Sequence, residues 1–155
     1  MRNRTQKGFT LIELLVVIAI IGLLSTLAVV ALNSARQKSR DSKRVSDVKQ
    51  VQTALELYFA DKNEYPAAAT AVELGVEAQH KALCTGGFSD ACTSGQTVYM
   101  GLVPETATPA DGTCGADNKY MYTSDSTTYD LAFCLGGAVG GLPLGVHHAT
   151  PNGIK

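Results

Sequence analysis

An apolar run near the N-terminus constrains the fold of this chain more than any other feature. Its 24 residues, 9–32, contain one charged side chain, Glu13. Because a helix rises about 1.5 Å per residue, such a run can cross a bilayer core of about 30 Å. The apolar part of a secretory signal peptide is usually about 7 to 15 residues long and ends at a small-residue cleavage site, which this run matches poorly. Residues 9–32 are therefore predicted to form a transmembrane helix.

The charged residues divide the chain into regions of opposite sign. Residues 1–8 hold three basic side chains and no acidic one, and residues 33–50 hold six basic against two acidic side chains. Residues 51–155 hold four basic and eleven acidic side chains, although the formal net charge of the whole chain is only −1. Since basic residues flank the apolar run on both sides, the positive-inside rule leaves its orientation ambiguous.

The segment 33–62 has the pattern of a helix with one apolar side. No residue before Pro66 is a proline, and Gly22 is the only glycine inside the helical region, so nothing forces a break. We predict one helix, roughly 80 Å long, from about Thr10 to about Lys62. Its amphipathic half carries apolar residues at spacings of three and four, which are Val45, Val48, Val51, Leu55, Tyr58 and Phe59.

Residues 63–155 are predicted to form a globular head domain with a small antiparallel sheet. The clearest signal is a hairpin in which "KYMYTS" and "TYDLAFCL" flank the turn "DSTT". A further strand is predicted at "TVYMGLV", a short helix over residues 71–82, and a flexible, glycine-rich tail from Gly136. Because the sheet needs a cover for its apolar face, the amphipathic half of the helix is expected to pack on it. The predicted fold class is α+β.

All four cysteines, Cys84, Cys92, Cys114 and Cys134, follow the apolar run. An even number on one side of a membrane indicates disulfides in an oxidising compartment, which places residues 1–8 in the cytoplasm. Three pairings are possible, and we favour the sequential one, Cys84 with Cys92 and Cys114 with Cys134. The alternative is free, buried thiols in a reducing compartment.

The carboxylate of Glu13 is unusual for a membrane anchor. It costs about 2.5 to 3.5 kcal/mol inside an apolar helix, so it is expected to face a partner charge unless it lies near the interface. The segment "KGFTLIELLVVIAIIGLL" resembles the N-terminus of type IV prepilins and type II secretion pseudopilins. The shared features are a basic leader ending in Gly8, then Phe9, then glutamate as the fifth residue of the apolar helix. The resemblance is specific over residues 1 to about 35, and the long helix and late hairpin resemble the pilin fold in outline.

This resemblance implies a processing site and an assembly site. A prepilin peptidase would remove the leader peptide by cutting between Gly8 and Phe9, and would N-methylate Phe9. Glu13 of one subunit would then neutralise the Phe9 amine of a neighbour, and the apolar surroundings would strengthen that pairing. Gly22, one of a series of small residues, would let helices approach closely, although such residues are also common in membrane helices.

The resemblance implies a structural subunit and not an enzyme. The favoured function is a type IV pilin, which begins as a single-pass inner-membrane precursor surrounded by lipid and ends in a helical, homo-oligomeric filament on the cell surface. Its expected partners are the prepilin peptidase and an inner-membrane assembly platform. The alternative within the family is the major pseudopilin of a type II secretion system, whose short filament stays in the periplasm. An alternative of another class is a monomeric, membrane-anchored extracytoplasmic binding domain.

The pilus is favoured by the cysteines and by the acid-free segment 136–155, because some pseudopilins bind calcium in an acidic C-terminal loop. The basic cluster "RQKSRDSKR", residues 36–44, is predicted to be a solvated helix face or to pair with acidic heads of neighbours. Binding of anionic lipid or nucleic acid by this cluster is less favoured, since no aromatic residue interleaves with it.

No catalytic residue, cofactor or metal ion is expected. His147 with His148, and His80 with Cys84, are poor metal-site candidates, since adjacent histidines in a flexible tail rarely converge. No serine or threonine lies in a nucleophile motif. Asp125 and Asp130, which flank the turn of the hairpin, are predicted to serve the turn and solubility.

Overall fold

The computed structural model describes residues 8–76 and 79–155. Of the predicted leader peptide, 1–8, all but Gly8 therefore lies outside the described residues. The described chain contains helix α1, Leu11–Lys62, which matches the predicted bounds, and eight strands. It divides into two compact units, residues 1–36 and residues 37–155.

The first unit contains the N-terminal part of α1. Its large apolar side chains between Phe9 and Leu32 are exposed, with exposed fractions of 48% to 89%. By length and composition this helix can cross a membrane, a criterion that an N-terminal signal sequence also meets. Because burying one such side chain is worth about 1.5 to 3 kcal/mol, this segment needs lipid or other helices around it.

The second unit contains two antiparallel sheets. A five-stranded sheet has the order β1-β5-β6-β7-β8, and a three-stranded sheet has the order β3-β2-β4. A short 3₁₀ turn, Gly115–Asp117, lies between β4 and β5. The strands are β1 Ala68–Glu73, β2 Ala82–Cys84, β3 Gly87–Ser89, β4 Val98–Met100, β5 Met121–Ser124, β6 Tyr129–Leu135, β7 Gly145–Thr150 and β8 Gly153–Ile154.

The structure confirms the α+β fold and the predicted hairpin. Strands β5 and β6 pair antiparallel, with Tyr122 opposite Leu131. Strand β4 lies within "TVYMGLV", as predicted. The apolar stripe of α1 packs on the sheet as expected, and Val48, Val51 and Leu55 are at most 1% exposed. Their neighbours in the core include Tyr58, Tyr65, Tyr120, Tyr122, Tyr129, Leu131, Phe133 and Leu135.

Two predictions about the head domain are wrong. The segment 71–82 is not a helix, since it contains the end of β1 and the start of β2, and its residues 77–78 lie outside the described chain. Gly75, in this segment, has φ +84°, and a Cβ there would lie 2.6 Å from the carbonyl oxygen of Pro104. A tight turn thus replaces the helix.

The second wrong prediction is that of a flexible tail from Gly136. Residues 145–150 form β7, which pairs with β6 from Leu131 to Leu135, and β8 pairs with β7. The tail is therefore part of the sheet, and its last strands are held by backbone hydrogen bonds.

Candidate assembly site and charge clamp

The candidate assembly residues lie at the start of α1. Phe9 is 89% exposed. Glu13 Oε2 accepts hydrogen bonds from the backbone N–H of Thr10 at 2.8 Å and from Thr10 Oγ1 at 2.7 Å. The N–H of Glu13 in turn donates to Thr10 Oγ1 at 3.3 Å. These contacts are those of a capping box, in which the carboxylate satisfies an N–H at the helix start that has no partner within the helix.

This capping role of Glu13 was not predicted, although its signal is present in the sequence. Thr10 and Glu13 have the spacing of the S/T-x-x-E capping motif directly before an apolar run. Both hydrogen bonds to the carboxylate end on Oε2. The other oxygen, Oε1, has no partner among the described residues, so the carboxylate can accept a further donor.

The predicted processing residues are accessible. A Cβ at Gly8 would have no atom of the described residues within 4 Å, its chain neighbours apart. Gly22 lies inside α1, where a Cβ would also meet nothing. The helix runs through Gly22 without interruption in this single chain.

A second site joins α1 to the loop between β4 and β5. We call Arg40, Asp41, Arg44 and Asp111 the charge clamp. Arg40 Nε donates to Asp111 Oδ2 at 2.6 Å, and Arg44 Nη1 donates to Asp41 Oδ1 at 2.7 Å and to Asp111 Oδ2 at 3.2 Å. Two carboxylates and two guanidinium groups thus bring together residues that are about 70 positions apart in the sequence.

Arg44 is the centre of the clamp and is fully buried. Its Nη2 donates to the carbonyl oxygen of Ala107 at 2.7 Å and to that of Pro109 at 3.2 Å. A buried charge is tolerated only when it is paired and hydrogen-bonded, and these four acceptors partner both terminal nitrogens of Arg44, while its Nε has no partner among the described residues. The loop is therefore bound to the helix by both its side chains and its backbone.

The prediction for the basic cluster is wrong for Arg40 and Arg44. Arg40 and Arg44 belong to that cluster, yet both pair with Asp111 of the same chain. Hydrogen bonding from Arg40, supported by Arg44, lowers the pKa of the Asp111 carboxyl, although burial acts in the opposite direction. Lys38 and Lys43 remain exposed as predicted.

A disulfide reinforces the same loop. Cys114 is bonded to Cys134 at the end of β6, and Cys84 is bonded to Cys92, which is the sequential pairing favoured from the sequence. Next to the Cys114–Cys134 disulfide, the backbone of Gly136 approaches Asp111 so closely that a Cβ on Gly136 would lie 2.3 Å from the Asp111 Cβ. Glycine is therefore required at position 136.

The comparisons with known proteins concern the N-terminal features first. Residues 3–29 match the family described as "Prokaryotic N-terminal methylation motif". The chain is 44% identical over 66 residues to "Type II secretion system core protein G" of Aeromonas hydrophila, which covers 43% of this chain and 46% of that protein. The protein of the same name from Escherichia coli (strain K12) is 42% identical over 73 residues, covering 47% and 50%. The N-terminal part of this chain therefore carries the methylation motif and resembles the type IV pilin and pseudopilin family.

The chain spans about half the length of the curated relatives it matches. No solved structure matches it significantly. The family motif ends at residue 29 and so contains Gly8, Phe9 and Glu13, whereas the charge clamp begins at Arg40. The matched motif thus includes the candidate assembly site, whereas the charge clamp lies outside it.

The remaining candidates have structural contacts in this pilin-like head. His147 is buried on β7, with Nε2 2.8 Å from the Pro143 carbonyl oxygen, and His148 Nδ1 lies 2.8 Å from Asp130. Asp125 Oδ1 accepts N–H groups of the turn that follows it, as predicted for a turn residue. Within residues 8–76 and 79–155, no three His, Cys, Asp or Glu side chains form a group that could hold a metal.

Proposed function

We propose that this chain is a core structural subunit of a type II secretion pseudopilus. The observation that carries the proposal is the likeness to two proteins named type II secretion system core protein G, together with the methylation motif. These relatives favour the secretion alternative over the cell-surface pilus that the sequence alone favoured. Its role in this proposal is structural rather than enzymatic.

In the proposed pathway, the precursor is anchored in the inner membrane by residues 9–32, with its leader in the cytoplasm. A prepilin peptidase hydrolyses the bond between Gly8 and Phe9, and the new Phe9 amine is methylated. The exposure of Phe9 and the open space around Gly8 support this step. The disulfide-bonded head then lies in the periplasm.

Assembly in this proposal uses the free oxygen of Glu13. Oε2 holds the capping box of its own helix, while Oε1 accepts a hydrogen bond from the Phe9 amine of a neighbouring subunit. The carboxylate then keeps its hydrogen bonds with Thr10 and gains a positively charged partner, the Phe9 amine. This pairing offsets the cost of placing the carboxylate among apolar side chains. The exposed apolar side chains of residues 9–32 supply the contact between helices, which is made through packing.

The first test is the intact mass and N-terminal sequence of the native protein in two fractions, sheared surface material and membranes. We expect a species that lacks residues 1–8 and carries one methyl group on Phe9, found only with the membranes. The same species in sheared material would instead support the cell-surface pilus, which the acid-free segment 136–155 favours. An unprocessed chain in cells that process other prepilins would contradict both, and would favour a monomeric anchored domain.

A pair of glycine variants controls this test. Gly8→Val adds bulk beside the proposed cleaved bond, so we expect the leader to remain attached. Gly22→Ala adds a methyl group in open space on the same helix and should be processed normally. Equal processing of both variants would contradict the assignment of the cleavage site.

A further inference from the structure

One exposed loop of the head has no polar side chain. Residues 136–146, "GGAVGGLPLGV", which we call the apolar loop, comprise the connection from β6 to β7 and the first two residues of β7. Leu144 is 59% exposed and Val146 is 50% exposed, and Ala138 and Pro143 are also exposed. An exposed apolar segment of this length indicates a contact surface.

The apolar loop is held in a defined conformation. Val139 and Leu142 exchange two backbone hydrogen bonds of 3.0 Å across two glycines with positive φ. His147 Nε2 lies 2.8 Å from the Pro143 carbonyl oxygen, and Pro143 itself has no N–H to satisfy. Much of the backbone of this loop is thus already hydrogen-bonded, which reduces the cost of moving it into a less polar medium.

The apolar loop is attached to the first turns of α1 in the second unit. Gln37 Nε2 donates to the Gly136 carbonyl oxygen at 2.6 Å, and the Gly136 N–H donates to Asp41 Oδ1 at 3.0 Å. Lys38 lines a cleft with residues 138–143. These helix positions follow the last residue of the apolar run, Leu32, by only five to nine residues in the sequence.

The acidic residues at the start of the apolar loop, Asp41 and Asp111, are paired with arginines, whereas the basic Lys38 lines the loop. Arg36 and Lys38 are exposed and form no ion pair with the described residues. The whole segment 136–155 has no Asp or Glu, whereas residues 51–155 carry eleven acidic side chains against four basic ones. The acid-free segment is therefore an exception within an acidic head.

We propose that the apolar loop contacts an anionic lipid bilayer while the subunit is anchored in it. Leu144 and Val146 insert at the interface, and Lys38 faces the lipid phosphates, an attraction of the kind that juxtamembrane basic residues provide. The contact gives the anchored subunit a second attachment besides its helix. It rests on the proposed anchoring by residues 9–32.

The bilayer fits this surface better than a second copy of the head. Another head carries eleven acidic against four basic side chains over residues 51–155, and the apolar loop has no cationic side chain with which to pair them. An anionic bilayer would repel the acidic remainder of the head and attract Lys38 beside the uncharged loop. The charge distribution thus turns the apolar loop towards the lipid.

The chain has no tryptophan, so one introduced tryptophan reports on the loop alone. Full-length Leu144→Trp is reconstituted in vesicles of anionic and zwitterionic phospholipids, with and without bromine on the acyl chains. Leu102→Trp is the matched control, since Leu102 is 76% exposed and follows β4. Tyr99 of β4 packs on Tyr58, which is about 25 Å along the helix from Asp41.

We expect Leu144→Trp to lose fluorescence in brominated vesicles and to emit at shorter wavelength, and Leu102→Trp to do neither. Adding Lys38→Glu should weaken the quenching of Leu144→Trp in anionic vesicles only. Val146→Trp provides a second reporter if Leu144→Trp does not fold.

Three results would overturn the proposal. Protein that floats with the vesicles while both tryptophans stay unquenched would leave the anchor intact and remove the loop contact. Shielding of Leu144→Trp that depends on subunit association and not on bromine would assign the loop to a second copy. Protein that fails to float with vesicles would contradict the anchoring itself.

Discussion

Replacing Arg44 with alanine tests whether the charge clamp stabilises the head. The change removes donors from Asp41, Asp111 and the carbonyl oxygens of Ala107 and Pro109. Asp111 then keeps only Arg40 as its partner, and Asp41 keeps only the N–H of Gly136 as a hydrogen-bond donor. Removing one partner of a buried ion pair costs about 3 to 5 kcal/mol, a large part of the roughly 5 to 15 kcal/mol that stabilises an ordinary domain.

The free energy of unfolding can be measured by urea titration of the full chain in detergent, followed by near-ultraviolet circular dichroism of the buried tyrosines. Lys49→Ala is the matched control, because Lys49 is an exposed basic residue of the same helix and should change stability by less than about 0.5 kcal/mol. Adding Asp111→Ala to Arg44→Ala should cost less than the sum of the two single changes. A loss below about 1 kcal/mol for Arg44→Ala, or additive costs, would refute the reasoning.

Three further predictions follow from the contacts described. Asp111 has a lowered pKa in the folded state, so its stabilising contribution is present above the ordinary carboxyl range and is lost as pH falls through the lowered value. Unfolding measured from pH 7 to pH 2 should therefore show a smaller acid-induced loss for Asp111→Asn. Replacing Cys114 and Cys134 by serine opens a bridge between positions 20 residues apart and should cost about 3 kcal/mol by thermal unfolding, and an unchanged Tm would contradict this estimate. Glu13→Ala should be processed normally but enter filaments poorly, and normal filament numbers by electron microscopy would exclude the proposed pairing with the Phe9 amine.

The elements that the sequence predicted correctly are those in which apolar residues recur at a regular spacing. Apolar residues at helical spacing and an uninterrupted apolar run predicted α1, because both signals extend over many turns. Alternation from Tyr129 to Leu135 predicted β6, since one face of that strand is buried. The sequential pairing of the cysteines was favoured among three possible pairings, and the structure has that pairing.

Strand β1 could not be predicted in this way. Its sequence, "AATAVE", has no aromatic residue and only two β-branched ones, Thr70 and Val72, and its three alanines favour a helix. Pairing with β5, in which Val72 lies opposite Tyr122, determines its conformation. Tertiary contacts thus override local propensity in this segment.

The charge clamp was missed for a different reason. Arg44 lies on the same helical stripe as Val48, Val51 and Leu55, so its burial could have been suspected from spacing. Its partner Asp111 is 67 residues away in a loop without periodicity, and no local pattern joins the two. The capping role of Glu13, by contrast, was visible in four consecutive residues.

The hydrophobic core described for this chain draws on residues from Val45 onward. The N-terminal segment contributes exposed apolar side chains, whereas the head is constrained by its own packing. Selection can therefore act on the two parts separately, and the head can change its sequence while the matched motif stays fixed. We expect a chimera that joins residues 1–36 of this chain to the head of a relative to retain a folded head.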